Sequence, residues 1–166
     1  MWKTLSQSEI SHLGELTTPE LVVLDLDVPD RRAAVDVLAR KMYDAGRIGD
    51  LDGFLSQVGS REHQLATGLP GGIGMPHART EHTDRVSIAV GVTAFGHSLD
   101  FGASDGPATV VLLLATPATS YSLHLGVLAT LARSLSRQTF RESLRRAYDP
   151  EVIAELINST VDFSDL

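Results

Sequence analysis

An apolar run at residues 108–115 constrains the fold of this chain more than any other feature. Eight residues are far fewer than the ~20 that a membrane-spanning helix needs. The run is apolar on both of the faces that a strand presents alternately, and such a strand must be covered on both sides. It therefore predicts a central strand that lies between two layers of helices.

Two further strands are predicted outside this run, and two helices are predicted before residue 67. Short apolar runs at residues 21–26 and 86–92 have the composition of strands. The first helix opens at Pro29 and Asp30 and ends near Gly46; its apolar positions are Ala34, Val37, Leu38 and Met42. The second is capped by Asp50 and ended by Gly59; its apolar face consists of Leu51, Phe54, Leu55 and Val58.

The last third of the chain is predicted to be helical. One helix spans residues 120–136, with Leu123, Val127, Leu128, Leu131 and Leu135 on its buried stripe. Another spans residues 140–148, and a last one begins at Asp149-Pro150-Glu151 and buries Val152, Ile153, Leu156 and Ile157. Strands that alternate with helices predict an α/β fold, which we expect to be a three-layer sandwich with a mixed sheet of about five strands and helices on both faces.

Composition limits the classes of function. The 166 residues contain no repeat and no Pro/Gly-rich linker, so we expect a single domain over residues 1–166. The absence of cysteine excludes disulfides, thiolate catalysis and cysteine-ligated metal sites. The formal net charge of −7 argues against nucleic acid as a partner. Residues 1–9 lack the apolar core of a signal peptide, which predicts a cytoplasmic protein without membrane insertion.

A glycine-rich segment at residues 67–76 is predicted to be a loop, with a very short strand at residues 73–75. Its glycines do not form the G-x-G-x-x-G pattern, and the chain contains no G-x-x-x-x-G-K-[ST] nucleotide motif. A turn that needs positive φ angles is the simpler interpretation. Glycines also allow backbone N–H groups to approach an anion closely.

Six histidines are the main candidates for chemistry, and they show no spacing typical of a zinc site. Four of them have no supporting motif and are interpreted as surface residues: His12, His63, His82 and His97. His77 differs because Pro76 precedes it and fixes the backbone at the end of the glycine-rich loop. Taken alone, His124 is a half-buried core residue and Arg61 a surface arginine just beyond the second helix.

Together these residues resemble a known family. Arg61-Glu62, Thr67-Gly68, Gly72-Ile73-Gly74-Met75-Pro76-His77-Ala78 and His124-Leu125 are similar to the enzyme IIA domain of the bacterial phosphoenolpyruvate-dependent sugar phosphotransferase system, of the fructose/mannitol type. This type includes the nitrogen-regulatory enzyme IIA proteins. The resemblance extends from about residue 20 to about residue 158. Arg61 precedes His77 by 16 residues and His124 follows it by 47, and both spacings suit the family.

The resemblance implies that His77 is the phosphorylated nucleophile. It implies that Arg61 neutralises the phosphoryl oxygens, and that His124 donates a hydrogen bond to the phosphoryl group or holds the ring of His77. Thr67 and the loop backbone, including Gly72 and Gly74, would add neutral hydrogen bonds. No cofactor and no metal are implied. The partners would be the histidine-containing phosphocarrier protein, as donor, and an enzyme IIB, as acceptor during sugar uptake.

Two alternatives remain open at this point. A regulatory, nitrogen-type enzyme IIA would signal through its phosphorylation state and feed no transporter. A histidine-ligated metal hydrolase is the unrelated alternative, although the sequence lacks a carboxylate–histidine metal motif.

Overall fold

The computed structural model describes residues 16–160, so the predictions for residues 1–9 and for His12 lie outside the described residues. The strands are β1 (Val22–Leu26), β2 (Gly68–Leu69), β3 (Ile73–Gly74), β4 (His77–Thr80), β5 (Ser87–Thr93) and β6 (Val110–Pro117). The α-helices are α1 (Arg31–Asp44), α2 (Leu51–Gln64), α3 (Tyr121–Leu135), α4 (Gln138–Arg146) and α5 (Pro150–Thr160). A short 3-10 helix, Pro19–Leu21, precedes β1.

The strands form a mixed sheet around β6. Over residues 16–160 the sheet has six strands. Five of them lie side by side in the order β1-β5-β6-β3-β2. The sixth, β4, pairs with β6 further along that strand than β3 does. β5 runs antiparallel to β6, whereas β3 and β4 run parallel to it. All eight residues of β6 are buried, so the predicted central strand is confirmed. The sheet is mixed, as expected, and its additional strands are short pieces around the glycine-rich loop.

The apolar side chains of β6 divide between two cores because successive residues of a strand point to opposite faces. Val110, Leu112 and Leu114 pack against α3, α4 and α5. Val111, Leu113 and Ala115 pack in the second core, with α1 and α2. The three-layer α/β arrangement with helices on both faces is therefore confirmed.

Side-chain caps fix the starts of three helices where the sequence predicted them. Asp30 accepts a hydrogen bond from the backbone N–H of Ala33 at 2.8 Å, and Asp50 accepts one from Gly53 at 3.0 Å. Ser120 caps α3 by accepting from the backbone N–H of Leu123 at 3.1 Å. Each cap satisfies an N–H group that has no partner within its helix. Gly46, with φ of +75°, follows the last turn of α1 as expected.

Two predicted details of the helices are wrong. The second helix does not end at Gly59 but continues to Gln64, because one exposed glycine inside a helix costs only about 1 kcal/mol. Arg61 therefore lies in the last turn of α2 rather than beyond it. Val152 is 44% exposed, while Ile153 and Ile157 are buried, so the buried face of α5 excludes one residue that the sequence assigned to it.

Residues 77–80, of which the sequence analysis placed only His77, at the end of the glycine-rich loop, form strand β4. Its four residues pair with Leu114, Ala115, Thr116 and Pro117 of β6. The strand is too short, and Arg79 and Thr80 too polar, to give a strand pattern in the sequence. This pairing places His77 directly beside the central strand.

No helix within residues 16–160 is both long enough and apolar enough to cross a bilayer.

Gly74 and Gly59 form a matched pair for a test of the packing. A Cβ at Gly74 would lie 2.6 Å from two atoms of the Phe101 ring, which is itself buried, whereas a Cβ at Gly59 meets nothing within 4 Å. We expect Gly74→Ala to lower the free energy of unfolding by about 1–3 kcal/mol through overpacking. Gly59→Ala should raise it by about 0.5–1 kcal/mol through helix propensity. Urea denaturation of both variants tests this, and equal stabilities would contradict the packing described for Gly74.

Candidate functional site

Two histidines that are 47 residues apart in the sequence meet in the structure. His77 begins β4, and His124 lies in the first turn of α3, next to the end of β6. Their ring centroids are 5.8 Å apart and the ring planes are tilted by 43°. Both residues are only 8% exposed. The structure therefore brings together the two histidines that the sequence singled out.

The hydrogen bond of His77 fixes its tautomer. Its Nδ1 lies 2.9 Å from the backbone carbonyl oxygen of Met75. A carbonyl oxygen only accepts, so Nδ1 carries the hydrogen and donates it. In the neutral ring, Nε2 then has a free lone pair. Within the described residues this buried Nε2 has no hydrogen-bond partner. His77 thus presents an unprotonated nitrogen, which is the nucleophilic form of imidazole.

His124 is held through its other ring nitrogen. Its Nδ1 is hydrogen-bonded to the hydroxyl of Thr116, a fully buried residue of β6. The ring of Tyr121, one turn earlier in α3, stacks against it at a centroid distance of 6.2 Å and an angle of 20°. When the Thr116 hydroxyl donates to Nδ1, the neutral ring carries its hydrogen on Nε2 and can donate it to a ligand.

Burial keeps both histidines neutral at pH 7. Desolvation is the main cause that lowers the pKa of His77, and the positive charge of Arg61 acts in the same direction. The hydrogen bond to Met75 and the charge of Glu62 act in the opposite direction. For His124, desolvation and the neighbouring His77, Arg79 and Arg61 lower the pKa to about 4. The site therefore combines an imidazole nucleophile with fixed cations.

The histidines form part of the wall of a pocket of about 430 Å³ between α2 and α3. Its lining is Ser56, Gln57, Ser60, Arg61, Gln64, His77, Ala78, Arg79, Tyr121, His124, Leu125 and Leu128. Although the chain has 21 acidic residues, none from the described part of it lines this pocket. Two arginines in a pocket that no carboxylate of the described residues lines are typical of a site for an anion such as a phosphoryl group.

The predicted loop residues do not line this pocket. The hydroxyl of Thr67 donates to Glu62, and its carbonyl oxygen accepts from Met75 N–H at 3.0 Å. The carbonyl oxygen of Gly72 accepts from the N–H groups of Thr109 and Val110. Gly74 packs against the ring of Phe101. These contacts shape the loop that leads into His77, and the histidine pair and Arg61 come together without Thr67, Gly72 or Gly74.

The other described histidines lie outside the pocket. His82 is near the carboxylates of Asp50 and Glu81, and the Nε2 of His97 is 2.6 Å from the carbonyl oxygen of Val28. His63 is exposed and borders a larger pocket of about 810 Å³ between α1 and α2, which does not contain the histidine pair. Across residues 16–160, no group of three potential ligands is placed to hold a metal ion.

Two residues of the site, Arg79 and Tyr121, were not predicted from the sequence. Arg79 follows His77 by two residues, a spacing that places both side chains on one face of a strand. Tyr121 precedes His124 by three residues, a spacing that makes them neighbours on a helix. The signal for Arg79 was hidden because β4 was not recognised as a strand.

Comparison with known proteins finds a matching family and a relative that aligns with nearly the whole chain. Residues 15–160 match the family described as phosphoenolpyruvate-dependent sugar phosphotransferase system, EIIA 2. The chain is 30% identical over 155 residues to the fructose-specific EIIA component of the phosphotransferase system of Haloferax volcanii. The alignment covers 93% of this chain and 99% of that protein.

Two solved structures show the same fold. The nitrogen regulatory protein IIA-Ntr from Neisseria meningitidis has a TM-score of 0.78 and 25% identity, over 87% of this chain and 98% of that one. The enzyme IIA for mannitol of Escherichia coli, solved in complex with phosphorylated enzyme IIB for mannitol, has a TM-score of 0.69 and 18% identity, over 85% of this chain and 96% of that one.

Because the pKa of both histidines is lowered in the folded chain, stability should depend on pH. Below the ordinary pKa of about 6.5, the unfolded chain binds protons that the folded chain excludes. We therefore expect the free energy of unfolding to decrease as the pH falls from about 6.5 toward 4, where folded His124 becomes protonated. Urea denaturation of the wild type and of His124→Gln across this pH range tests this. The free energy of unfolding should decrease less in the variant than in the wild type. Parallel curves for the two proteins would contradict the lowered pKa of His124.

Proposed function

The chain belongs to the EIIA 2 family of the phosphoenolpyruvate-dependent sugar phosphotransferase system, and we propose that it carries a phosphoryl group on Nε2 of His77. As an enzyme IIA it is a phosphotransferase component. The observation that carries the assignment to His77 is its buried Nε2, which is free of hydrogen bonds within the described chain and belongs to a residue that lines a pocket with two arginines. The neighbouring Nδ1 is committed to the carbonyl oxygen of Met75.

The donor in this proposal is the histidine-containing phosphocarrier protein. The lone pair of Nε2 attacks the phosphorus, the bond from phosphorus to the donor's ring nitrogen breaks, and the electron pair of that bond remains on the donor ring. No base is needed at Nε2, because the tautomer leaves it unprotonated. The ring of His77 gains positive character, which strengthens the Nδ1–H hydrogen bond to Met75.

Arg61 and His124 act on the phosphoryl oxygens. The guanidinium of Arg61, in the last turn of α2, neutralises their charge and can do so through two parallel hydrogen bonds. His124 donates from Nε2 while Thr116 holds its Nδ1. Phosphoryl transfer depends mainly on positioning and charge stabilisation, so this set of groups is sufficient. Thr67, Gly72 and Gly74 contribute by shaping the loop that holds Met75 and His77.

The acceptor in this proposal is an enzyme IIB, and the process is sugar uptake. The solved complex of the mannitol enzyme IIA with phosphorylated enzyme IIB supports this acceptor. The fructose-specific relative, which aligns with nearly the whole chain, supports transport rather than the nitrogen-type regulatory role. Since phosphoenolpyruvate and the phosphocarrier protein are cytoplasmic, we place the reaction in the cytoplasm.

The first test is phosphorylation of His77→Ala. The wild-type chain, incubated with phosphoenolpyruvate, enzyme I and the phosphocarrier protein, should gain one acid-labile phosphoryl group on His77, measured by intact mass spectrometry. His77→Ala should fold and gain none, because the attacking nitrogen is absent. His63→Ala, which removes an exposed histidine outside the pocket, is the matched control and should be phosphorylated normally. Full phosphorylation of His77→Ala would refute the assignment.

The second test separates a functional from a structural role for His124. Glutamine can replace one N–H donor of imidazole but cannot carry a proton. We expect His124→Gln to accept phosphate, with transfer in single-turnover experiments measurably slower than in the wild type and a melting temperature close to it. A large decrease in melting temperature with wild-type transfer kinetics would show that His124 is only a core residue.

A further inference from the structure

Arg79 is an arginine of the pocket to which neither the sequence analysis nor the proposed function assigns a role. It lies two residues after His77 on β4, so both side chains project from the same face of the strand. The residues on either side of it, Ala78 and Thr80, are buried, whereas Arg79 is exposed and lines the pocket. It therefore lies where the pocket opens to solvent.

An aromatic ring holds the guanidinium of Arg79 in place. Its Cζ lies 4.9 Å above the centroid of the Tyr121 ring, the geometry of a cation–π contact. Tyr121 also stacks against the ring of His124. Arg79, Tyr121 and His124 are thus linked by successive contacts in the lining of the pocket. Tyr121 is 58% exposed, so this contact lies at the surface of the pocket.

Arg79 has no carboxylate partner in residues 16–160, although the chain is acidic overall. Arg40 and Arg145, by contrast, form ion pairs with Asp36 and Glu142. Within residues 16–160 the guanidinium of Arg79 contacts the ring of Tyr121 and makes no hydrogen bond. The N–H donors at its edge therefore remain available for a planar or tetrahedral anion.

The two arginines of the pocket act at different positions. The charge of Arg61 lowers the pKa of both His77 and His124, and the charge of Arg79 lowers that of His124. Arg79 contacts Tyr121, which stacks on His124, so it is the cation on the side of the second histidine and the mouth of the pocket. A phosphoryl group that arrives from a partner protein must pass this mouth before it reaches His77.

We propose that Arg79, held by Tyr121, is a second phosphoryl-binding residue that contacts the oxygens of the phosphoryl group as it moves between the partner's nitrogen and Nε2 of His77. This rests on the proposed function. In the transition state the phosphorus lies between two ring nitrogens, and its three oxygens point sideways toward the walls of the pocket. Arg61 approaches these oxygens from α2 and Arg79 from the side of α3.

The test compares two phosphoryl donors. The phosphocarrier protein offers both a phosphoryl group and a protein surface, while phosphoramidate offers only a phosphoryl group and releases ammonia after transfer. Arg79→Ala removes one charge-assisted contact to the phosphoryl oxygens. We therefore expect the kcat/KM of phosphoryl transfer to this variant to be about tenfold lower than for the wild type, with both donors. Arg79→Lys should recover part of the rate, and Tyr121→Leu should lose part of it. Arg40→Ala, an arginine outside the pocket, is the matched control and should react like the wild type.

A second measurement distinguishes electrostatic from structural effects. The pKa of His124 can be measured by NMR of its ring. Arg79→Ala removes a positive charge and should raise this pKa, whereas Arg40→Ala should leave it unchanged. Wild-type rates in Arg79→Ala with both donors would overturn the inference. Slow transfer from the protein donor together with a wild-type rate from phosphoramidate would also overturn it, since Arg79 would then contact the partner and not the phosphoryl group. A wild-type chain that gains no phosphoryl group on His77 would instead refute the proposed function.

Discussion

The pairing of β4 with the central strand β6 determines the geometry of the site. His77 is paired with Leu114, and Thr116, two residues further along the same strand, is hydrogen-bonded to His124. One buried strand therefore positions both imidazole rings. Because β6 is buried on both faces by two apolar cores, neither attachment point can move without repacking of the protein interior. The stability of the fold and the precision of the site have the same origin.

The distribution of charge explains why a strongly acidic chain can hold an anion. The carboxylates of the described residues lie outside the pocket, while Arg61 and Arg79 line it and carry no ion pair within residues 16–160. Burial keeps the histidines neutral, so His77 does not add a third cation to the pocket, and its unprotonated nitrogen suits the proposed role of nucleophile. A negatively charged phosphoryl group would be unfavourable in such a partly buried pocket without counter-charges, and in the proposed reaction the two arginines supply them.

Much of the fold could be predicted because its signals are local. Asp30, Asp50 and Ser120 each start a helix through a hydrogen bond to a residue three positions later, and such a contact is visible in the sequence. The errors concern features that depend on distant residues. Gly59 did not end α2, because helix contacts on both sides of it outweigh the propensity of one glycine. β4 was not recognised because its partner, β6, lies more than thirty residues away.

The sequence by itself determined the helices, the longer strands, the burial of β6 and, through a family resemblance, the identity of His77, His124 and Arg61 as candidates. It could not decide which loop residues reach the pocket: Gly74 packs against the ring of Phe101, and the carbonyl oxygen of Gly72 pairs with the N–H groups of Thr109 and Val110. Nor could it reveal the stack of Arg79 on Tyr121, whose residues are 42 positions apart. Local hydrogen bonds and hydrophobic periodicity are properties of a short segment, whereas a site depends on the distances that packing of the whole chain sets.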